Sequence, residues 1–205
     1  MCCPPSMRAH FAIVLFLLAS CSSQPDSLKV EFHRFIPDTS RTWAGRMTRD
    51  AYNQTRAFEN TLKLEKLIDG TVHDELRVWY LSSSFDPQVV FIAKADSSNK
   101  WSLRTISFYR TKSDSIYADY SRVLRQSAVD SLNLNKYWQL TSQSDLSKGD
   151  TYGCVDGEDI FIEMSNRIKY KFLWFRCPEI YKDKDTTFLS ATALANRLDA
   201  LAVEH

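Results

Sequence analysis

The chain has 205 residues and a nearly balanced charge, since 26 are lysine or arginine and 25 are aspartate or glutamate. This balance argues against a nucleic-acid partner, which usually requires a basic surface. Aromatic residues form 13% of the chain and only five residues are glycine, which predicts a packed domain and excludes a disordered chain. The length suffices for one domain with a proper core.

The N-terminal segment has the layout of a cleaved secretory signal. Arg8 gives it a positive charge, and a run of apolar residues follows at 11–18. A membrane-spanning helix needs about 20 apolar residues, so this run is too short to cross a bilayer. Small residues then precede Cys21, as at the cleavage site of a signal peptide. Met7 opens a more ordinary leader than Met1, and both starts remain open.

The end of this leader, Leu-Ala-Ser-Cys at 18–21, resembles the lipobox of bacterial lipoproteins. The resemblance covers residues 7–27. It implies that a diacylglycerol is attached to the sulfur of Cys21, that the chain is cut just before this residue, and that the new amine is usually acylated. An ordinary secretory signal with a cysteine near its cut site is the alternative. Residues 22–27 are polar and contain a proline, which predicts a flexible tether.

The resemblance also implies a location in the cell envelope. One acyl chain gives only marginal binding, at about 0.8 kcal/mol per buried methylene, whereas two or three chains would hold the protein at a membrane. Ser22 is not the aspartate that retains lipoproteins at the inner membrane of some bacteria, which favours the outer membrane. We therefore expect a signal peptide at 1–20, a lipidated tether at 21–27 and one domain at 28–205.

The cysteines predict one disulfide. Cys2 and Cys3 would leave with the leader and Cys21 would carry the lipid, so that Cys154 and Cys177 remain. Two cysteines left in an exported chain indicate a bond between them, because the periplasm and the cell exterior are oxidising. Two unrelated buried thiols are the alternative.

Several segments in the first half of the domain fit more than one structure. Residues 28–35 alternate between apolar and polar and predict a half-buried strand. Five arginines lie at 34–56 among acidic residues, which fits solvated faces or, alternatively, a patch for a membrane surface or an anionic ligand. Residues 57–68 are rich in Leu, Lys and Glu and favour a helix that Gly70 could end. Asp69-Gly70 also fits a two-residue hairpin turn.

The middle of the chain predicts strands and then a helix. Strands are expected at 76–81, 88–93 and 101–109, with a turn at 96–100 that joins the last two as a hairpin. Residues 115–134 predict a helix, because their apolar side chains recur at helical spacing.

Two further strands, at 160–164 and 168–175, predict a second hairpin. With Ser165 and Asn166 as a two-residue loop, Cys154 and Cys177 lie equally far from the loop and would oppose each other. Opposed residues lie about 4.5–5.5 Å apart, which suits a disulfide. A bulge at Asp156-Gly157 would shift this register.

The chain ends with an amphipathic pattern that predicts a helix packed on the sheet. Its apolar face comprises Phe188, Ala191, Leu194, Ala195, Leu198, Leu201 and Ala202. Asp185 or Thr186 can act as the N-cap. A helix that lies on a membrane is the alternative, but this polar face carries a single arginine, Arg197.

Residues that could carry chemistry are dispersed. His33, His73 and His205 lie far apart, so we expect no metal site, and the acidic stretch at 156–159 does not match the calcium loop of an EF-hand. The polar loop at 141–145 fits either a ligand site or a capped turn. The sequence has no Gly-x-Ser-x-Gly and no phosphate-binding glycine loop. We therefore expect no cofactor and predict no catalytic residue.

The sequence as a whole predicts an α+β fold with a mainly antiparallel sheet and two or three helices, one of them C-terminal. We expect a non-catalytic, membrane-tethered lipoprotein that binds an envelope protein or a cell-wall component. A hydrolase whose site assembles from dispersed residues and a structural spacer are the alternatives. Convergent polar groups with perturbed pKa values in a concave pocket would favour the enzyme.

Overall fold

The computed structural model describes residues 31–37, 42–82, 87–109, 116–146, 149–152, 154 and 157–203. The leader, Cys21, the tether and Asp156 lie outside the described residues. Within the described ranges, none of the helices combines the length and the apolar character that crossing a bilayer requires.

Seven strands form one mixed sheet. They are β1 (His33–Phe35), β2 (Glu75–Leu81), β3 (Gln88–Ala95), β4 (Trp101–Phe108), β5 (Ile116–Val123), β6 (Asp159–Ser165) and β7 (Lys169–Arg176). Their order across the sheet is β1-β7-β6-β2-β3-β4-β5. The pairing is antiparallel throughout, except that β1 runs parallel to β7.

Helices cover both faces of the sheet. They are α1 (Trp43–Thr61), α2 (Gln126–Leu132), α3 (Leu134–Gln139), α4 (Pro178–Tyr181) and α5 (Thr186–Val203). Successive residues of a strand point to opposite faces, so Val78 packs in the core under α5 while Trp79 packs in the core under α1. The predicted α+β class, with a mainly antiparallel sheet and a C-terminal helix, is confirmed.

Helix α1 lies where the sequence showed no clear pattern. The Thr42 hydroxyl caps its first turn by accepting a hydrogen bond from the Gly45 amide at 2.9 Å. Its buried face is built from small and polar residues, namely Ala44, Gly45, Thr48, Ala51, Thr55 and Glu59. The helix predicted at 57–68 is therefore wrong in its bounds, because helix propensity is a weak guide and the buried stripe of α1 is not apolar.

The helix predicted at 115–134 is also wrong over its first half. Residues 116–123 form β5, and a helix begins only at Gln126. Strand β5 lies at the end of the sheet and most of its side chains are exposed on both faces. Its sequence therefore lacks the apolar alternation of a half-buried strand.

The predicted hairpin of β6 and β7 exists, but its predicted register is wrong. Ser165 pairs with Tyr170, and the Asn166 amide donates to the Lys169 carbonyl at 3.0 Å, so that the turn is centred on residues 167 and 168 and not on 165 and 166. The Asn166 side chain stabilises it by accepting hydrogen bonds from the amides of Ile168 at 3.1 Å and Lys169 at 3.0 Å. In this register Cys177 faces Glu158, and its amide donates to the Glu158 carbonyl at 2.6 Å.

The two remaining cysteines are joined in the structure, although not as opposed residues of a ladder. The Cα atoms of Cys154 and Cys177 lie 6.4 Å apart, within the usual range for a disulfide. Gly157 passes directly over the pair, and a Cβ atom there would overlap both sulfurs. This arrangement is compatible with the predicted disulfide bond, which an intact-mass measurement tests.

The predicted terminal helix is confirmed as α5. The Asp185 carboxylate caps it by accepting a hydrogen bond from the Thr187 amide at 2.7 Å. The apolar face packs in the core with strand residues such as Val78 and Leu173. Its predicted positions are buried, except for Ala202, which is half-buried.

Candidate functional site

A cavity of about 330 Å³ lies between β2, β3 and α5. Ligand-binding cavities typically measure about 300–1,000 Å³, so this one suits a small ligand or a single side chain. Val89, Phe91 and Ala195 contribute apolar surface. Alternation along β3 turns Val89 and Phe91 toward α5, and the spacing of four residues places Ala195 and Asp199 on one side of that helix.

The polar lining comes from three separate parts of the chain. It comprises Tyr80 and Ser82 at the end of β2, Glu158 just before β6, and Asn196 and Asp199 on α5. The Ser82 Oγ atom is shielded from solvent and has no hydrogen-bond partner within the described part of the chain. A buried hydroxyl without a partner is costly, so a ligand that bonds to it would gain a stabilising contact.

Tyr80 and Glu158 form the central polar pair of the cavity. The Tyr80 phenol donates a hydrogen bond to the Glu158 carboxylate. Burial raises the pKa of Tyr80 well above its usual range, and the hydrogen bond and charge of Glu158 raise this pKa further. The phenol therefore stays protonated at neutral pH and remains a hydrogen-bond donor to the carboxylate.

The backbone of Glu158 is held by the cysteine region. Its carbonyl accepts the Cys177 amide, which extends the β6–β7 ladder by one residue beyond Asp159 and Arg176. The predicted disulfide residues thus adjoin the cavity through Glu158. Asp159 is not available to a metal here, because it pairs with Arg176 at 3.3 Å and accepts from the Trp174 indole at 3.2 Å.

Charge on the cavity lining is of one sign. Among its described residues, the charged ones are the carboxylates Glu158 and Asp199. An apolar floor with carboxylates at its border favours a ligand that has an apolar body and a cationic or N–H-donating group. The same carboxylates would repel a phosphate.

A second polar cluster lies on the opposite face of the sheet, buried under α1. Arg77 contacts Glu59 at 2.6 Å and Glu75 at 2.7 Å. Arg56 contacts Glu59 at 2.9 Å and also pairs with Glu163. Glu163 accepts further hydrogen bonds from the Trp79 indole and the Tyr170 hydroxyl, each at 2.7 Å.

This buried charge cluster contains three carboxylates and two guanidinium groups. Lys94 approaches it from the rim and contacts Glu75 at 3.1 Å. Burial raises the pKa of Glu59, an effect that exceeds the opposing influence of Arg56 and Arg77. Because its charged groups already bind one another, the cluster serves to hold α1 on the sheet and offers little to a ligand.

The described arginines at 34–56 do not form the suggested patch for a membrane surface or an anionic ligand. Arg56 is turned into the buried charge cluster, and Arg34 donates to the Ile68 carbonyl at 3.0 Å and contacts Asp69. Arg41 lies outside the described residues, whereas Arg46 and Arg49 are exposed on α1. The described arginines of this range therefore do not share one surface.

The polar loop at 141–145 is hydrogen-bonded to the backbone of β7. The Ser142 hydroxyl accepts the Trp174 amide at 3.1 Å and donates to the Trp174 carbonyl at 3.3 Å. The Gln143 amide oxygen accepts the Arg176 amide at 2.8 Å. These side chains take the place of a neighbouring strand along β7, which agrees with the capped turn.

Other predicted site residues stay apart. Within the described ranges, no group of three or more His, Cys, Asp or Glu side chains could hold a metal ion. His33 lies on β1 and His73 in the turn before β2, and His205 is outside the described residues. No sequence pattern marked Tyr80, Asn196 and Asp199 as a site, because a tyrosine in a strand and polar residues on the outer face of a helix occur in many folds.

Comparisons with known proteins give little guidance. No protein-family model matches the chain, and no solved structure matches it. The chain is similar to the DEAD-box ATP-dependent RNA helicase 57 of Oryza sativa subsp. japonica, with 25% identity over 145 residues. The match covers 68% of this chain and 27% of the helicase, so the chain spans about a quarter of the length of this curated relative.

Proposed function

We propose that this chain is a lipid-anchored protein of the bacterial cell envelope whose folded domain binds a ligand without transforming it. The Tyr80–Glu158 pair in the cavity under α5 is the observation that carries the binding proposal. The anchor rests on the lipobox-like residues at 18–21. The partner is an envelope protein or a cell-wall component that presents an amine or another N–H donor on an apolar stem.

The direction of the Tyr80 pKa shift argues against this phenol as the proton-transfer group of a hydrolase. A hydrolase needs a group that accepts or releases a proton near the working pH. The pKa of Tyr80 is moved upward, away from neutrality, so the phenol neither activates water nor acts as a ready proton donor. It instead remains a hydrogen-bond donor beside the Glu158 carboxylate.

The location follows from the anchor. Two or three acyl chains would keep the protein at a membrane, and Ser22 favours the outer membrane over the inner one. The tether at 21–27 would leave the domain free to reach a partner near the membrane surface.

The similarity to the rice RNA helicase does not enter this proposal. A loop of the Gly-x-x-x-x-Gly-Lys-Ser/Thr type is a common binder of nucleotide phosphates, and no such stretch occurs in the sequence. The carboxylates Glu158 and Asp199 also give the cavity the wrong charge for a phosphate. We therefore propose no nucleic-acid partner.

Ligand binding can be tested with probes of one size and different head groups. We expect hexylammonium to raise the melting temperature of the full chain and to shift NMR signals of Ala195 and Phe91, whereas hexan-1-ol and hexanoate have smaller effects. Asp199→Asn and Glu158→Gln should weaken the hexylammonium effect several-fold. Asp183→Asn, an exposed carboxylate outside the cavity, is the matched control.

The three probes also distinguish a binding protein from a structural spacer and from a hydrolase. Equal effects of hexylammonium and hexanoate would contradict a site selected by its carboxylates. An absence of any effect at millimolar probe concentrations would contradict the binding proposal and leave the structural spacer. Turnover of an ester or amide analogue of the probe, lost in Tyr80→Phe, would establish the hydrolase instead.

A further inference from the structure

We infer that the cavity under α5 binds the free N-terminus of a polypeptide whose first residue has a large apolar side chain. The inference rests on the proposed binding of an amine in this cavity, and it names the kind of amine. Polypeptides carry ammonium groups at the tips of lysine side chains and at the N-terminus. The two differ in where the charge lies relative to the apolar part of the ligand.

The cavity is apolar at its floor and polar at its border. Phe91 and Ala195 are exposed to only 4% and 3%, whereas Asn196 and Asp199 are exposed on the surface of α5. A ligand therefore enters with its apolar part first and keeps its charged group at the border, because an ammonium buried among apolar groups is costly. An N-terminal residue meets this order, since its ammonium lies at the base of its side chain. A lysine side chain would carry its ammonium into the apolar floor.

The register of the sheet places two acceptors of the border side by side. Leu81 pairs with Asp159 in the ladder of β2 and β6, so the next residues along, Ser82 and Glu158, lie opposite each other. The Cβ atoms of opposed residues are about 4.5–5.5 Å apart, a spacing that one ammonium with three N–H donors can bridge. The Ser82 Oγ atom has no hydrogen-bond partner within the described residues. A carboxylate accepts several hydrogen bonds, so Glu158 can bind an ammonium as well as Tyr80.

Further carboxylates make the border negative. The charges of Glu179 and Asp199 contribute to the raised pKa of Tyr80, so both carboxylates lie near its phenol. Glu179 is paired with Lys182 at 2.8 Å, which leaves Glu158 and Asp199 as the carboxylates of the lining. These two attract an ammonium and repel a carboxylate.

This charge selects a peptide over a free amino acid. A free amino acid has its carboxylate next to its ammonium, where Glu158 and Asp199 would repel it. In a peptide an uncharged amide takes the place of this carboxylate. Asn196 lies at the same border, and its side chain offers both a donor and an acceptor to such an amide.

The apolar floor sets the size of the first side chain. Tyr80 pairs with Val89, and Phe91 lies two residues further along β3. At about 3.4 Å per residue, the level of Val89 is about 7 Å from that of Ser82, and the level of Phe91 is about 14 Å from it. A phenylalanine side chain of the ligand reaches the level of Val89 and can pack against the Phe91 ring. A glycine would leave the floor without contact.

Peptide amides test these features by isothermal titration calorimetry with the full chain. We expect Phe-Gly-Gly amide to bind, and its N-acetyl form to bind at least ten-fold more weakly because it has no ammonium. Gly-Gly-Gly amide lacks the apolar side chain, and acetyl-Gly-Lys-Gly amide carries its ammonium at the tip of a side chain. Both should bind at least ten-fold more weakly than Phe-Gly-Gly amide. Free phenylalanine should also bind more weakly, because of its carboxylate.

Two variants test the assigned contacts. Ser82→Ala should weaken the binding of Phe-Gly-Gly amide several-fold, and Ser121→Ala, at an exposed serine outside the cavity, is the matched control. Val89→Phe fills the floor and should reduce the preference for Phe-Gly-Gly amide over Gly-Gly-Gly amide to about one. Val89 is half-buried, so its environment has room for the larger side chain. Circular dichroism checks that each variant is folded.

Hexylammonium distinguishes a failure of this inference from a failure of the proposed function. Binding of hexylammonium without binding of Phe-Gly-Gly amide would overturn the inference and leave the amine site. Equal affinities for Phe-Gly-Gly amide and the lysine peptide, or for the free and acetylated peptides, would also overturn it. Failure of hexylammonium and of every peptide to bind at millimolar concentrations would overturn the inference and the proposed function together.

Discussion

Arg77 on β2 lies 2.6 Å from Glu59 on α1, with both side chains almost completely buried. This contact joins the helix to the sheet inside the core, where an isolated charge would be very costly. The other buried charges, Arg56, Glu75 and Glu163, extend it into one cluster. Helix α1 is therefore positioned by ion pairs and hydrogen bonds as well as by apolar contacts.

Glu163→Gln should destabilise the protein by about 3–5 kcal/mol, the usual cost of removing one partner of a buried ion pair. The substitution removes one of the two carboxylate partners of Arg56 and replaces the acceptor of either the Trp79 or the Tyr170 hydrogen bond by an N–H donor. Urea unfolding followed by tryptophan fluorescence measures the change. A loss below about 1 kcal/mol would contradict the assigned role of Glu163.

Glu59 should give the stability a distinct pH dependence. Burial raises the pKa of Glu59 above that of an unfolded chain, about 4.3. Its contribution is therefore fully present below the unfolded pKa and is lost as the pH rises through the folded pKa. We expect the free energy of unfolding of the wild type, relative to Glu59→Gln, to fall as the pH is raised from 4. A constant difference between pH 4 and 8 would show that the Glu59 pKa is not raised.

The predicted bond between Cys154 and Cys177 can be read from intact mass. Protein purified without reductant should gain 2 Da upon reduction, and alkylation before reduction should leave both residues unmodified. The chain separation of 23 residues gives a loop-closure contribution of roughly 3.4 kcal/mol in the chain-entropy model. Because the β6–β7 hairpin is local and keeps some order when unfolded, we expect about 2 kcal/mol for the double Cys→Ser variant. Two alkylatable thiols in the unreduced protein would refute the bond.

Leu194→Asp should destabilise strongly, by more than about 3 kcal/mol, because it places a charge in the core between α5 and the sheet. Leu194 is almost fully buried, whereas Leu189 on the same helix is about half exposed. Leu189→Asp is therefore the matched control and should change the stability little. The melting temperatures of the two variants are measured by thermal unfolding with circular dichroism. Equal melting temperatures for the two variants would argue that α5 is not packed as described.

Lipidation of Cys21 stays a prediction from the sequence. Cells that express the full chain and are fed an alkyne-tagged fatty acid should label the wild type and not Cys21→Ser. Cys21→Ser should also move from the membrane fraction to the soluble fraction. Equal labelling of both proteins would end the lipoprotein hypothesis, whereas processing without any label would indicate an ordinary secretory signal.

The sequence by itself determined the strands and helices in which the spacing of apolar residues matches the buried face. Strands β2, β3 and β4 and helix α5 lie where apolar spacing predicted them, because each buries at least one regular face. The turn at 96–100 was equally readable, since the Asp96 carboxylate accepts the amides of Ser98 and Lys100. These interactions lie within a few residues of the chain.

Only the tertiary structure decided the rest. Strand β5 exists because β4 supplies its ladder, and α1 is held by charges from β2 and β6 that lie far away in sequence. The cavity joins Tyr80, Glu158 and Asp199, three residues from distant segments. The register of β6 and β7 was set by the Asn166 turn and not by symmetry about the cysteines. A sequence pattern records how a residue is buried, but it does not record which distant residue meets it, since that depends on how the chain is folded back on itself.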